Sequence, residues 1–144
     1  MKAREIMSTN VVTVKKEYTV KKLIKVLKEN KITGAPVVDD EGSVVGIVSR
    51  ANIIEAVDDM LKINLSAAEI KKLRGKFNWV EGIMTSDVIH INADADIYDV
   101  FKIMSDKHIH RLPVMENNKL VGIISVTDAI RAFLKISSKR NEFK

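Results

Sequence analysis

The sequence predicts an α+β fold: two pseudo-symmetric βαββα repeats packed sheet-to-sheet into one compact module. Three observations carry this expectation. Ile6-Met7-Ser8 recurs as Ile83-Met84-Thr85, and Val11-Val12-Thr13-Val14 recurs as Val88-Ile89-His90-Ile91, both at an offset of 77 residues. The stripe Val20, Leu23, Ile24, Leu27 recurs at that same offset as Ile97, Val100, Phe101, Met104, so the apolar spacing is kept as well as the identities. Beyond Ala35-Pro36-Val37 and Leu112-Pro113-Val114 the offset falls to 76, so that Gly46-Ile47-Val48-Ser49 matches Gly122-Ile123-Ile124-Ser125. The lost residue falls where Asp39-Asp40-Glu41-Gly42-Ser43 faces Glu116-Asn117-Asn118-Lys119. These are turn formers, and a hairpin loop is where a length change costs least. A repeat that keeps its core positions and changes length only at a turn is a repeat of structure.

Each repeat reads in the same order. A short β segment, Val11 to Val14 or Val88 to Ile91, leads into an amphipathic helix with apolar residues at i, i+3, i+4 and i+7. Thr19 and Asp96 stand at the N-cap positions. The helices are expected to end near Asn30-Lys31 and Lys107-His108. A strand opened by Pro follows, then a turn and a second strand, Val44 to Val48 or Leu120 to Ile124. A second helix closes each unit, over about Ala51 to Leu61 and Thr127 to Ile136. One sheet with two helices leaves a face uncovered, so the two copies are expected to stack and to form two clefts. The boundaries read as repeat 1 over 1–62, a helical connector over 63–79, repeat 2 over 80–137 and a basic C-terminal tail over 138–144. In the connector, Ser66-Ala67-Ala68-Glu69 fits a capping box, Gly75 fits a helix stop, and Trp79 is expected to staple the segment to the core.

Composition bounds the class. At 144 residues with 46% apolar content the chain can bury a sizeable core. It has no cysteine, which excludes disulfides and thiolate zinc sites and makes the cytoplasm the expected compartment. No stretch approaches the roughly 20 apolar residues of a membrane span, and Met1 to Glu5 lack the apolar run of a signal peptide. The net charge of +5 admits an anionic partner, although much of the lysine lies opposite apolar helical positions, where it solvates a surface.

No catalytic constellation is visible: no phosphate-cradling glycine loop, no His-Glu-x-x-His and no nucleophile elbow, so the chain reads as no enzyme. His90, His108 and His110 are close in sequence but have no acidic residue at ligand spacing, so no metal site is expected. The informative segment is Ser125-Val126-Thr127-Asp128, where a strand hands over to a helix. Ser-x-x-Asp is a capping box, and its carboxylate favours the positive helix end. The same turn offers two hydroxyls and a carboxylate that can accept both hydrogens of a ribose diol, with helix-start N–H groups that favour phosphate. At this point both readings stand. The second element is His108-Ile109-His110-Arg111-Leu112-Pro113, whose Arg serves either a surface ion pair or bidentate phosphate binding.

Taken together, Ile-Met-Ser/Thr before the first strand, Gly34-Ala35-Pro36-Val37-Val38-Asp39, His110-Arg111-Leu112-Pro113-Val114 and the paired Gly-Ile-x-Ser-x-x-Asp/Asn segments resemble the CBS-domain family, as a tandem pair or Bateman module. The resemblance runs from about Ala3 to Leu134. It implies a regulatory module that binds AMP, ADP, ATP, S-adenosylmethionine or a related adenosyl ligand in a cleft between the repeats, with no further cofactor. It implies that Asp128 accepts the ribose diol, that Ser125 and Thr127 neighbour it, that Ile123 lies along the adenine, and that His110 and Arg111 meet phosphate. The rest of that cleft is expected from Lys16, Tyr18 and Val20. The other cleft has Asn52, Ser49 and Ile47, with Thr33-Gly34 in place of His-Arg and the acidic turn Asn92-Ala93-Asp94-Ala95-Asp96 opposite. It is therefore expected to be empty, weak or suited to a ligand with an uncharged tail. The family also implies a homodimer, with Ile54, Val57, Ile130 and Phe133 as surface candidates, and a regulated protein on another chain. A competing reading is nucleic-acid binding through Lys71-Lys72-Leu73-Arg74-Gly75-Lys76 and the tail residues Lys135, Lys139, Arg140 and Lys144, without helix-turn-helix spacing or aromatic interleaving to support it.

Overall fold

The computed structural model describes residues 1–62 and 66–140, without the side chains of residues 62, 73, 74 and 76. The basic side chains of Arg74 and Lys76 and the tail beyond residue 140 therefore lie outside the described residues. In chain order the elements are α1 (Ala3–Ile6), β1 (Val14–Lys15), α2 (Val20–Glu29), β2 (Gly34–Val38), β3 (Val44–Ser49), α3 (Arg50–Lys62), α4 (Ala67–Phe77), α5 (Val80–Ile83), β4 (Ile91–Asn92), α6 (Ile97–Lys107), β5 (Arg111–Glu116), β6 (Lys119–Ser125) and α7 (Val126–Arg140). The α+β class is as expected, with two three-stranded sheets ordered β1-β2-β3 and β4-β5-β6. In each, a parallel pair is followed by an antiparallel hairpin.

The compact units do not coincide with the sequence repeats. One unit spans Val12–Val88; the other joins Met1–Val11 to the chain from Ile89 onward. The cause is pairing at the edge strands. Ser8 exchanges two backbone hydrogen bonds with Ile123 of β6 (2.9 and 3.0 Å), so the N-terminal Ile-Met-Ser segment completes the sheet of the second repeat. Thr85 does the same for Ile47 of β3 (2.9 and 2.8 Å), so the Ile-Met-Thr segment that opens the second repeat completes the sheet of the first. An unpaired edge is thereby covered in each unit.

Several local expectations shift. The first strands are two residues long and begin at Val14 and Ile91, whereas Val11 and Val88 had been expected to start them. Only the ends of those apolar segments find ladder partners, at Val37-Val38 and at Val114-Met115. Pro36 and Pro113 are the third residues of β2 and β5 and do not open them. Each pairs with Ile47 or Ile123, whose N–H and C=O point outward to Thr85 or Ser8, so the proline nitrogen faces the inner neighbour. That neighbour is too short to reach it, pairing only from Val37 and Val114 onward, and so no ladder donor is missed in a central strand.

The caps and turns follow the residues that form them. Thr19 Oγ1 accepts from Lys22 N (3.0 Å) and Asp96 Oδ1 from Tyr98 N (2.8 Å), closing the first turns of α2 and α6. His108 ends α6 in the left-handed region, φ 52°. The shorter hairpin turns on Asn117 and Asn118, both at positive φ (51° and 61°), the backbone of a two-residue primed turn that asparagine tolerates. The capping box of α4 is present, with Ser66 N and Oγ both donating to Glu69 Oε2 (2.8 and 2.9 Å). The helix passes through Gly75 and does not stop there. It ends at Phe77, which packs against the apolar core of its unit, and that burial outweighs the roughly 1 kcal/mol that glycine costs inside a helix. Trp79 is 48% exposed, so it does not staple the connector; Val80 and Ile83 are the buried residues there.

Each unit has its own core. Leu23, Leu27, Val37, Val48 and Val80 centre the first, and Val100, Leu112, Val114, Ile124 and Ala3 the second. Among the described residues no helix is long and apolar enough to cross a membrane.

Candidate ligand site at the end of the last strand

In the unit that contains β6, chain topology brings most of the predicted site residues to one corner. Arg111, the first residue of β5, pairs with Ser125, the last of β6. Val126 N donates to His110 O (3.1 Å), which fixes the entry into β5 against the start of α7. Ser125, Thr127, Asp128, His110 and Arg111 therefore share one end of one sheet. Ile123 lies two residues back along β6, half-buried, with its backbone held by Ser8.

The capping reading of Ser125-x-x-Asp128 is realised. Asp128 Oδ2 accepts from Ser125 N (2.9 Å) and Ser125 Oγ (2.9 Å), and Asp128 N donates back to Ser125 Oγ (3.1 Å). This pins the carboxylate at the first turn of α7, where the helix dipole favours negative charge. The second oxygen, Oδ1, has Arg131 Nη1 at 3.7 Å, longer than a good hydrogen bond. The carboxylate side chain keeps 21% of its surface exposed, so Oδ1 retains acceptor capacity on a rigid mount. Capping occupies one oxygen and leaves the other, so the capping reading and the ligand reading are compatible. Thr127 and His110 are exposed and Arg111 is half-buried. Beside Asp128 lies a cavity of about 140 Å³, lined also by Met1, Glu5, Ile6, Arg131 and Lys135.

The remaining predicted residues belong to the other unit. There Lys16 O accepts from Glu81 N (3.0 Å) and Tyr18 O from Val80 N (2.9 Å), while Val20 N donates to Asn78 O (2.8 Å). The Tyr18 ring carries Lys22 Nζ over its face at 3.8 Å. Ser49 and Asn52 repeat the cap geometry with an amide in place of the carboxylate. Asn52 Oδ1 accepts from Ser49 N (2.8 Å) and Oγ (3.2 Å), and its Nδ2 donates to Thr85 Oγ1 (3.3 Å). The amide puts an N–H donor where Asp128 has its second oxygen, so this corner offers no second carboxylate oxygen. Ile47 is held by Thr85, as Ile123 is by Ser8. A cavity of about 300 Å³ adjoins Asn52 and is lined by Glu55, Asp59, Met84 and Thr85, carboxylates where the other corner has Arg131 and Lys135. Among the described residues no group of His, Cys, Asp and Glu is placed to hold a metal ion.

Reading from sequence missed the roles of Met7 and Met84. Each lies over a β-strand glycine, Gly122 or Gly46, where a Cβ would collide with its sulfur. The recurrence of Met beside Ile in both copies, and of Gly three residues before the Ser of each Ser-x-x-Asp/Asn segment, was the available signal.

Two βαββα units, each ending its sheet in a Ser-capped helix, define a tandem-repeat domain. The chain belongs to the CBS-domain family, whose model matches residues 3–59 and 80–135. It is 40% identical over 135 residues to MJ0188 of Methanocaldococcus jannaschii, covering 92% of this chain and 44% of that protein. The chain spans less than half the length of the first curated relatives it matches. Among solved structures it is similar to CBSX2 in complex with AMP, at 27% identity and a TM-score of 0.79, covering 94% of this chain and 98% of that one. It is also similar to the CBS domain pair of MJ0100 in complex with 5-methylthioadenosine and S-adenosyl-L-methionine, at 25% identity and a TM-score of 0.78, covering 94% and 98%.

Proposed function

We propose that the chain is a non-catalytic regulatory module that binds an adenosine-type ligand, with AMP, ADP, ATP and S-adenosylmethionine as the candidates. The observation that carries this reading is the Asp128 carboxylate, held by Ser125 through one oxygen while the other stays available beside Thr127, His110 and Arg111. In this reading Oδ1 of Asp128 accepts a ribose hydroxyl, Ile123 offers apolar contact to the base, and Arg111 with His110 meets phosphate. The AMP and S-adenosylmethionine complexes of two similar proteins support the ligand class. The Asn52 corner, with no free carboxylate oxygen and acidic neighbours, is the weaker site and disfavours phosphate.

Output from such a module passes through a change in packing on ligand binding. Exposed apolar residues on α3 (Ile54, Val57) and α7 (Ile130, Phe133) support self-association as a homodimer, which sedimentation of the free and ligand-bound chain tests. The ligand assignment is tested by calorimetric titration with AMP, ATP, S-adenosylmethionine and adenosine. Saturable binding of one of them near one per chain is the expected result; absence of binding by all four overturns the reading.

A further inference from the structure

A second groove lies in the Val12–Val88 unit, beside the Ser49–Asn52 corner but lined by neither Ser49 nor Asn52. An open groove of about 390 Å³ runs between the end of α2 and the start of α3. Its floor is apolar: Ile24, Leu27, Ile32 and Ile53. Its rim carries three cations, Lys28, Lys31 and Arg50, and no lining residue is acidic. The Lys15–Asp40 and Lys25–Glu29 pairs of this unit involve none of the three. The volume falls within the roughly 300–1,000 Å³ of small-molecule sites.

The repeat supplies an internal control for what the fold itself requires. At equivalent positions the second repeat has Phe101 for Ile24, Phe133 for Val57, Ser105 for Lys28, His108 for Lys31 and Val126 for Arg50. There the two phenylalanine rings meet edge to face with centroids 6.4 Å apart, so aromatic bulk occupies the place. In the first repeat the same scaffold has lost that bulk and gained three positive charges around the space. The backbone does not demand the cations: the hydrogen bond from Arg50 N to Thr33 O (2.9 Å) is matched by Val126 N to His110 O (3.1 Å) without them. Two lysines near the end of α2 gain something from the helix dipole, but Arg50 opens α3, where that dipole disfavours a cation.

We propose that this groove binds a small amphipathic carboxylate, its apolar body on Leu27, Ile32 and Ile53 and its carboxylate among Lys28, Lys31 and Arg50. An apolar floor alone would take any hydrophobic occupant; three cations with no acidic residue beside them among the described lining select an anion. This site is independent of the adenosyl reading and does not rest on it.

The test uses the intact chain and octanoate as probe, with octanol as its neutral counterpart, followed by calorimetry. Octanoate is expected to bind saturably at one per chain and octanol much more weakly. Lys31→Gln with Arg50→Gln should weaken octanoate by about tenfold or more, the scale of a lost charge-assisted contact. Ile24→Phe, which restores the bulk of the second repeat, should abolish binding, and Asp128→Asn should leave it unchanged. Absence of octanoate binding, equal binding of octanol, or indifference to the double charge variant overturns the proposal. So does sedimentation showing that a second copy of the chain covers the groove and that Ile24→Phe releases it.

Discussion

The Met7 side chain occupies the space that a Cβ on residue 122 would need, and Met84 stands in the same relation to Gly46. Two motifs far apart in sequence, Ile-Met-Ser/Thr and Gly-Ile-x-Ser, therefore interlock within each unit. The glycine is required by close approach, since neither Gly46 nor Gly122 has positive φ. Gly122→Ala should destabilise the protein by about 1–3 kcal/mol through overpacking. Combining it with Met7→Ala should recover part of the loss, because the flexible thioether is what the new methyl meets. Urea denaturation of the two single variants and the double variant measures this coupling; strict additivity would refute the contact.

The N-terminal arm belongs to the unit that contains β6. Ala3 is fully buried there, and Arg4 bridges Asp94 (2.8 Å) and Glu116 (2.6 Å). Hydrogen bonds that Arg4 donates to Glu116 and Asp94 raise the guanidinium pKa and hold it in its charged form. Removing residues 1–8 should expose the β6 edge and speed amide exchange at Ile123, with Ile47 at its Thr85 partner unaffected. Equal exchange at both positions would show that the arm does not close this sheet.

The connector helix carries a pH dependence. Hydrogen bonds from Ser66 to Glu69 lower that carboxyl's pKa below its ordinary value. A depressed folded-state pKa gives stability that is present above the unfolded value and lost as pH falls through the folded one. The protection factor of the Ile70 amide, its exchange relative to the intrinsic rate at each pH, should therefore fall on acidification below the usual carboxylate range, and Ser66→Ala should remove the dependence. The group is exposed, so the effect is local to α4.

Arg111→Ala should weaken AMP by about 1–3 kcal/mol and adenosine much less, because a guanidinium on phosphate is lost only where there is phosphate. Calorimetry with the two ligands separates the outcomes. Equal losses would move Arg111 from phosphate recognition to packing.

Much of this was legible in the sequence because it is local chemistry. The caps at Thr19, Asp96 and Ser66, and the Asn117-Asn118 turn, follow from what those side chains and backbones do within four residues. The Asp128 corner was legible as well, since a Ser-x-x-Asp at a strand end has few geometries open to it. The exchange of Ile-Met-Ser/Thr segments was not. Both copies of the motif fit both glycine-bearing strands, so local pattern cannot choose between Gly46 and Gly122 for Met7. Gly75 misled for a related reason: its helix-breaking tendency is about 1 kcal/mol, and the burial of Phe77 beyond it is a tertiary fact.

The central claim is that Asp128 works with one oxygen for the helix and the other for a ligand, and Asn52 supplies the control. An asparagine at this position keeps the cap, accepting from Ser49 N at 2.8 Å, but has no second carboxylate oxygen. The most direct measurement is calorimetric titration of AMP into the wild-type chain and Asp128→Asn, with thermal unfolding of both. Near-equal stability with binding weakened by about tenfold or more is the result this account predicts. Undiminished AMP binding by a well-folded Asp128→Asn, or no binding by the wild type, would contradict it.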